Sequence, residues 1–246
     1  MTKDGGQRIA TSNGAMLADP DSLGGLAGAA IESLFEPTFW FGRGELVDVT
    51  GGRGAAWFIT GSAEWVLRHY RRGGFIARLS KDRYVWAGEK RVRAFSEWRL
   101  LAELSRRGLP VPRPIAARYQ RSGPVYRCDL ITQRISGARP LSAVLADGPL
   151  QENTWHDIGA AVARLHAAGA YHADLNAHNL LLDGGGAVSV IDFDRGRLRT
   201  PGEWALKNLS RLNRSLVKVG RGLPADRFGA AAWEWFLAGY ARALPL

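Results

Sequence analysis

Two histidines, an aspartate and two asparagines stand together in one short stretch of the chain, "HADLNAHN", His172–Asn179. A second segment, "AVSVIDFD", reads as a strand and carries Asp192 thirteen residues after Asn179. A β-hairpin between them would bring Asn179 and Asp192 side by side. Amide and carboxylate oxygens suit Mg²⁺, a hard cation that takes few protein ligands and completes its shell with waters and phosphate oxygens. The spacing therefore predicts Asn179 and Asp192 as a magnesium-binding pair.

The other polar residues of this stretch are predicted to serve the same chemistry. Asp174, five residues before Asn179, is expected to accept the proton of an attacking hydroxyl group or to orient that hydroxyl. We expect His172 to hold the loop through hydrogen bonds rather than to transfer a proton. The alternative is that these residues only cap turns, although a turn does not need so many polar groups in so short a run.

The elements that must position these residues are strands in the first part of the chain and helices in the second. Apolar runs bounded by turn residues predict strands in "GELVDVT", "AAWFIT", "AEWVLRHY" and "VYRCDLITQRI". Apolar residues near a 3.6-residue period predict helices over Arg91–Arg107, "NTWHDIGAAVARLHAAG", Glu203–Val219 and Ala225–Ala243. The single cysteine, Cys128, lies in the predicted strand "VYRCDLITQRI" and is expected to be buried.

This order of elements predicts an α+β fold in three parts. Residues 1–34 are rich in Gly, Ala, Ser and Asp and are expected to form an irregular segment. Residues 35–138 are predicted to form a first lobe with a Gly-rich loop, an antiparallel sheet and one helix. Residues 139–246 are predicted to form a second, mainly helical lobe that contains the polar loop.

The stretch His172–Asn179 resembles the catalytic loop of protein kinases, in which His-x-Asp-Leu is followed by Asn at this spacing. The pair Asp192-Phe193 resembles the first two residues of the kinase Asp-Phe-Gly element. The resemblance implies a bilobal, protein-kinase-like fold with ATP and Mg²⁺ as cofactors. It also implies Asp174 as the catalytic carboxylate, with Asn179 and Asp192 holding the metal on the nucleotide phosphates.

The sequence departs from the protein-kinase pattern at several positions. Asp194 stands where kinases have the Gly of that element, and Asn176 stands where they have Lys. No Ala-Pro-Glu segment follows, so the platform that binds a peptide substrate is not expected. These departures favour a small-molecule or glycolipid acceptor over a protein.

Nucleotide-binding residues are predicted in the first lobe. Backbone N–H groups of the Gly-rich loop could approach phosphates, although a plain hairpin turn has the same composition; its glycines are Gly51, Gly52 and Gly54. The third strand lacks the usual phosphate-binding Lys, and Arg68 takes its place, because Arg also binds phosphate and stays charged. Arg78 and Lys81 remain alternatives. The resemblance to kinases implies Glu97, on the following helix, as the ion-pair partner of Arg68, and a surface glutamate on that helix is the alternative.

Longer stretches carry a narrower resemblance, to the 3-deoxy-D-manno-octulosonic acid (Kdo) kinases of Gram-negative bacteria. These stretches are "WVLRHYRRGGFIARLSKDRYVW", "RAFSEWRLLAELSRRGLPVPRPIAARY", "VIDFDRGRLR" and "WALKNLSRLNRSL", within a match over about residues 35–240. The resemblance implies ATP-dependent phosphorylation of a Kdo hydroxyl, the 4-position in the family, on a Kdo-lipid A precursor. It also implies a peripheral protein at the cytoplasmic face of the inner membrane.

The charge distribution independently suggests an anionic partner, which could be nucleic acid, an anionic membrane surface or a phosphorylated substrate, although a basic surface that is only solvated has the same charge. The formal net charge is +10, and residues 64–127 hold 16 Lys or Arg against 5 Asp or Glu. Residues 195–227 hold nine against two. A glycolipid acceptor in an anionic membrane surface fits this charge, whereas the spread of the nine Trp does not form a stacking platform for nucleic acid.

Particular basic side chains are candidates for these contacts. Five of the first region could hold the protein at an anionic membrane: Arg71, Arg72, Arg83, Arg91 and Arg93. In the second region Lys207, Arg211 and Arg214 share one face of a predicted helix and could contact acceptor or membrane. No run approaches 18 uninterrupted apolar residues, so no transmembrane helix is predicted.

Two other functions remain open at this point. A lipopolysaccharide heptose kinase or another small-molecule phosphotransferase would share the catalytic loop and differ in the acceptor pocket. A basic module that binds RNA or an anionic membrane and has lost catalysis is the alternative from a different class.

Overall fold

The computed structural model describes residues 5–24, 29–48, 56–71 and 82–244 of the chain. The chain divides into two units: Met1–Glu103 with Arg113–Arg134, and Leu104–Pro112 with Ile135–Leu246. The chain passes from the first unit to the second between residues 134 and 135, close to the predicted boundary at 138/139. Residues 104–112, predicted in the first lobe, instead belong to the second unit, where the Pro110 carbonyl accepts a 2.8 Å hydrogen bond from Val190 N–H.

The first unit is built on one antiparallel sheet. Its described strands are β1 (Gln7–Thr11), β2 (Gly14–Ala18), β3 (Leu46–Asp48), β4 (Ala56–Ile59), β5 (Trp65–His69), β6 (Tyr84–Val85), β7 (Pro114–Ser122) and β8 (Val125–Gln133). Its described helices are α1 (Ala29–Ser33), α2 (Pro37–Gly42) and α3 (Arg93–Arg106), the last of which ends in the second unit. The strands pair in the order β1-β2-β7-β8-β5-β4-β3, and β6 pairs with β8.

The four strands and the helix predicted in this part of the chain are present, with shorter bounds. Side chains on one face of the sheet pack with α1 and α2 into an apolar core that includes Leu34, Trp40, Leu67 and Ile131. The Trp40 indole N–H, buried in this core, donates to the Leu34 carbonyl at 2.8 Å, so its one polar group is satisfied. Cys128 is fully buried on β8, as predicted.

The prediction of an irregular segment at residues 1–34 is wrong for much of its length. Strands β1 and β2 form a hairpin in which Thr11 pairs with Gly14, and β2 pairs in turn with β7. Residues 15–18, "AMLA", are fully buried. A high content of small residues indicated disorder, but an apolar run after a two-residue turn forms a strand when a neighbouring strand covers it.

Strand β7 is a second element that the sequence did not predict. Three closely spaced prolines favour irregular structure here. Two of them precede the strand, and the third, Pro114, is its first residue, where a strand tolerates the missing N–H. At the other end of the pair, a Cβ on Gly14 would overlap the backbone carbonyl of Tyr119. Glycine is therefore required where β2 passes this point of β7.

A chain of charged groups crosses the first unit. The His69 ring lies between two carboxylates, with Nδ1 2.6 Å from Asp129 and Nε2 3.3 Å from Asp82. Asp129 also accepts a 3.0 Å bond from Arg118, which reaches Glu36 at 2.6 Å. The hydrogen bond that His69 donates to Asp129 is the largest effect that raises the pKa of His69, against the opposing effect of burial. The imidazolium form of His69 is therefore stabilised by folding.

We expect this histidine to make the stability of the first unit depend on pH. Because the pKa of His69 is raised on folding, its contribution is complete below the unfolded value of about 6.5. The contribution is lost as pH rises through the folded pKa. Replacing His69 by Gln should lower the free energy of unfolding by about 1.5–3 kcal/mol at pH 6 and by less at pH 9. Denaturant unfolding of both proteins at the two pH values measures this, and an equal difference at both would contradict it.

The second unit consists of helices with short strand pairs. Its described elements are β9 (Arg139–Pro140), α4 (Leu141–Asp147), α5 (Glu152–Ala167), β10 (Ala170–Tyr171), β11 (Leu180–Leu182), β12 (Val188–Val190), β13 (Arg197–Leu198), α6 (Trp204–Gly220) and α7 (Ala230–Ala243). The three predicted helices are present. The last begins at Ala230 rather than Ala225, because Gly229 in front of it is extended.

Helices α5 and α7 pack against each other through glycines on both sides. A Cβ on Gly159 of α5 would overlap the Phe236 carbonyl, and one on Gly239 of α7 would overlap the His156 carbonyl. The two backbones therefore approach more closely than larger residues would allow. Helix α5 leads directly into β10 and the polar loop, so this packing supports the start of the candidate site.

Candidate active site

The hairpin predicted between Asn179 and Asp192 is present in the second unit. Strands β11 and β12 pair antiparallel, with Leu180 opposite Val190, and Ile191 N–H donates to the Asn179 carbonyl at 3.0 Å. The Asp183 carboxylate closes the turn by accepting backbone N–H bonds. Asn179 and Asp192 thus occupy neighbouring positions at the open end of the hairpin. The strand itself is shorter than predicted, and Asp192 lies just beyond it.

His172 holds the polar loop against the strand end, as the sequence predicted. Its Nε2–H donates to the Ile191 carbonyl at 2.9 Å, and its Nδ1 accepts from Asp174 N–H at 3.1 Å. Burial lowers the pKa of His172, which favours the neutral ring that this pair of bonds requires. The ring also packs edge-on against Phe193, with 4.7 Å between centroids. One buried side chain therefore ties Asp174 to the segment that carries Asp192.

Asp174 is held by its neighbours and remains open to solvent. Its side chain is 62% exposed, and Arg211 Nη1 donates to its Oδ1 at 2.9 Å. Asn176 Nδ2 contacts its Oδ2 at 3.2 Å. An ionised carboxylate has about four acceptor sites. Two donors therefore leave room for a hydroxyl group to donate to the same carboxylate.

Asn179 and Asp192 have the chemistry of a magnesium-binding pair. The Asn179 amide nitrogen donates to the Asp174 carbonyl at 2.9 Å. The amide oxygen is then the group with which Asn179 could bind a metal. Asp192 has a backbone φ of 64°, a left-handed conformation uncommon for residues other than Gly, Asn and Asp. These donors fit Mg²⁺, which needs only one or two protein carboxylate or amide ligands beside phosphates and water.

Larger metal clusters are not found in the part of the chain that the structure describes. No group of three or more His, Cys, Asp or Glu side chains is arranged there to hold a metal ion.

Among the described helices, none is long and apolar enough to cross a membrane.

The first unit contains the predicted ion pair between Arg68 and Glu97. Arg68 Nη1 donates to Glu97 Oε1 at 2.8 Å. The Tyr70 hydroxyl donates to the other oxygen of Glu97, and the carboxylate is almost fully buried. Burial, followed by the nearby Glu97 charge, raises the pKa of Tyr70, so the tyrosine stays a donor. Arg68 is therefore fixed from one side, while a quarter of its side chain is exposed.

Several predicted residues of the first lobe lie outside the described residues. These are the glycines Gly51, Gly52 and Gly54, the alternative cations Arg78 and Lys81, and the membrane candidate Arg72. Arg93, another membrane candidate, instead packs over Tyr84, with 4.8 Å from the guanidinium carbon to the ring centre.

Helix α6 supplies contacts that the sequence analysis missed. Asn208 bonds both the N–H and the carbonyl of His172, at 3.3 and 3.0 Å. The Ser215 hydroxyl accepts from Ala177 N–H at 3.1 Å. Arg211, for which a contact with acceptor or membrane stays a prediction, contacts Asp174 in this structure. The sequence shows that Asn208, Arg211 and Ser215 share one face of the helix, but it does not show that this face contacts the loop.

Comparison with known proteins identifies a family and similar relatives. Residues 37–240 match the family described as lipopolysaccharide kinase (Kdo/WaaP). A 3-deoxy-D-manno-octulosonic acid kinase of Xylella fastidiosa is 50% identical over 188 residues, which are 76% of this chain and 75% of the relative. One of Xanthomonas campestris pv. campestris is 49% identical over 208 residues, 84% of this chain and 81% of the relative.

A solved structure, WaaP in complex with acyl carrier protein, resembles this chain with a TM-score of 0.56 at 18% identity. The alignment covers 88% of each chain. At this identity the likeness concerns the fold alone, and it confirms the predicted kinase-like α+β architecture. The resemblance to Kdo kinases seen in the sequence is confirmed as well.

Proposed function

The chain belongs to the lipopolysaccharide kinase (Kdo/WaaP) family and is an ATP-dependent kinase, and we propose that it phosphorylates the 4-hydroxyl of Kdo on a Kdo-lipid A precursor. One observation carries the phosphotransfer chemistry of this proposal: His172 joins the loop of Asp174 and Asn179 to the segment of Asp192. Relatives about half identical over most of their length are named as Kdo kinases, which supports this acceptor over heptose.

In the proposed reaction Asp174 acts on the acceptor hydroxyl. The hydroxyl donates to the free side of the Asp174 carboxylate, and its oxygen attacks the γ-phosphorus of ATP. The bond between that phosphorus and the β-phosphate oxygen breaks, ADP leaves, and the hydroxyl proton passes to Asp174. The bonds from Arg211 and Asn176 hold the carboxylate during this step.

Asn179 and Asp192 are proposed to hold Mg²⁺ on the nucleotide phosphates. The metal, when bound, neutralises phosphate charge that develops during transfer. The role of the protein is to present one amide oxygen and one carboxylate at the hairpin end. The Asn179 amide is oriented by its bond to the Asp174 carbonyl. The left-handed backbone of Asp192 sets the direction in which its segment leaves the hairpin.

Arg68 is proposed to bind the ATP phosphates from the first unit, with the Gly-rich loop of Gly51, Gly52 and Gly54. The buried Glu97 carboxylate orients the guanidinium through one of its N–H groups. An arginine guanidinium can bind phosphate oxygens through bidentate hydrogen bonds.

We further propose that the enzyme works on the cytoplasmic face of the inner membrane as a peripheral protein. The acceptor is a lipid, and its carboxylates and phosphates match the net charge of +10. Arg71, Arg83 and Arg91 are exposed, and each basic residue near an anionic leaflet contributes about 1 kcal/mol. Nucleic acid is not expected as a partner.

Phosphorylation of defined glycolipids tests this function. The full chain is incubated with ATP and Mg²⁺ and either Kdo-lipid A or a heptosylated core, with a reaction lacking Mg²⁺ as the control. We expect one phosphate on Kdo, identified by mass spectrometry and placed at the 4-position by NMR. Phosphate only on heptose would support the heptose kinase instead, and ATP-independent binding without transfer would support a binding module.

A further inference from the structure

Resting on the proposed function, we infer that Arg211 is a positioning residue, which fixes the Asp174 carboxylate from helix α6. The contact joins groups 37 residues apart in the sequence, with 2.9 Å between Arg211 Nη1 and Asp174 Oδ1. Arg211 is thus the cation that contacts the proposed base in the part of the chain that the structure describes. Loop position 176, two residues after Asp174, has an uncharged Asn.

Arg211 belongs to a set of three polar side chains that hold the loop from one helix face. Asn208, Arg211 and Ser215 are spaced by three and four residues, so they lie along the same side of α6. They contact the loop at successive points, namely the His172 backbone, the Asp174 carboxylate and Ala177 N–H. The helix therefore fixes the backbone at both ends of the loop and the reactive side chain between them.

The ion pair is poorly suited to a role in folding. The Arg211 and Asp174 side chains are 49% and 62% exposed, and ion pairs with this exposure contribute little to stability. Asn208, by contrast, is buried. What the pair does supply is orientation, because a carboxylate bonded at one oxygen by a guanidinium and at the other by an amide cannot rotate freely.

Orientation of a base affects the reaction step more than it affects substrate binding. A carboxylate free to rotate points its acceptor oxygen at the hydroxyl for only part of the time. Loss of the Arg211 contact should therefore lower kcat while the KM for ATP and for the acceptor change little. Small misplacement of a reacting group costs up to about 10²-fold in rate.

The experiment compares three variants of the full-length chain. Arg211→Gln removes the charge and keeps polar length, Arg211→Lys keeps a cation, and Lys218→Gln is the matched control. Lys218 is exposed on the same helix, two turns beyond Arg211. We expect kcat to fall by about 10- to 100-fold in Arg211→Gln, to recover partly in Arg211→Lys, and to stay unchanged in Lys218→Gln. The melting temperature should be the same in all four proteins.

A second measurement does not depend on the acceptor. The side-chain carboxyl ¹³C resonance of Asp174, assigned by its loss in Asp174→Asn, should shift in Arg211→Gln relative to wild type and stay in place in Lys218→Gln, because the guanidinium bonds this carboxylate directly. If wild type transfers no phosphate to Kdo-lipid A, the proposed function fails, and the resonance alone decides whether Arg211 holds the carboxylate. Unchanged kcat or an unchanged resonance in Arg211→Gln would overturn the inference. A higher KM for the acceptor with normal kcat would overturn it in favour of substrate binding.

Discussion

Replacing Asp192 by alanine is expected to reduce Mg²⁺-dependent phosphoryl transfer by at least about 10³-fold, equivalent to about 4 kcal/mol of transition-state stabilisation. The change removes the carboxylate of the proposed magnesium pair and leaves only the neutral Asn179 amide. Turnover measured with ATP and glycolipid acceptor over a range of Mg²⁺ concentrations tests this expectation.

The backbone at Asp192 requires a second variant. Its φ of 64° is tolerated by Asn far better than by Ala, so Asp192→Ala also strains the chain. Asp192→Asn keeps the conformation and one oxygen but removes the charge. We expect it to be folded, as judged by thermal unfolding, and to need more Mg²⁺ for a strongly reduced rate. Near-normal activity of Asp192→Asn at low Mg²⁺ would refute the metal role.

Replacing Asp174 by asparagine is expected to slow transfer by about 10²–10⁴-fold. The amide is nearly the same size but cannot take a proton from the acceptor hydroxyl. Because one end of the amide is an NH₂ group, either Arg211 or Asn176, which both donate to the Asp174 carboxylate, would also lose its acceptor. ATP affinity should be retained, because Asp174 is outside the proposed metal pair. Single-turnover transfer and equilibrium nucleotide binding measure the two quantities separately.

Asp157→Asn provides the matched control for this variant. Asp157 is an exposed carboxylate on α5 in the same unit, and its loss changes the net charge by the same amount. Its transfer rate should equal that of wild type. A normal rate in Asp174→Asn would exclude base catalysis by this residue, and equal losses in both variants would point to a general effect of charge.

The sequence was sufficient to predict the candidate site because its parts are local. Asp174, Asn179 and Asp192 lie within twenty residues, and a single hairpin brings the last two together. The role of His172 in holding the loop was also predictable, because His172 lies two residues before Asp174. The contact between Arg68 and Glu97 spans 29 residues and was predicted only through the resemblance to kinases.

The remaining features depend on contacts between distant parts of the chain. Strands β1 and β2 have a composition that indicates irregular structure, and their pairing depends on β7, about a hundred residues later. Likewise, Asn208 and Arg211 gain their roles from a loop more than thirty residues earlier. Local patterns contain no information about such partners, since many surfaces satisfy the same polar side chain.

The two glycines of the α5–α7 contact also limit how this protein can change over evolutionary time. Each glycine lies against a backbone carbonyl of the other helix. A larger residue at Gly159 or Gly239 therefore cannot be compensated by a smaller residue opposite it, because the group it meets is backbone. Helix α5 ends where the segment leading to Asp174 begins. Substitutions are therefore tolerated more easily on the outward side of the final helix. On its inward side, replacing Gly239 by a larger residue would move the helix that leads into the loop of Asp174.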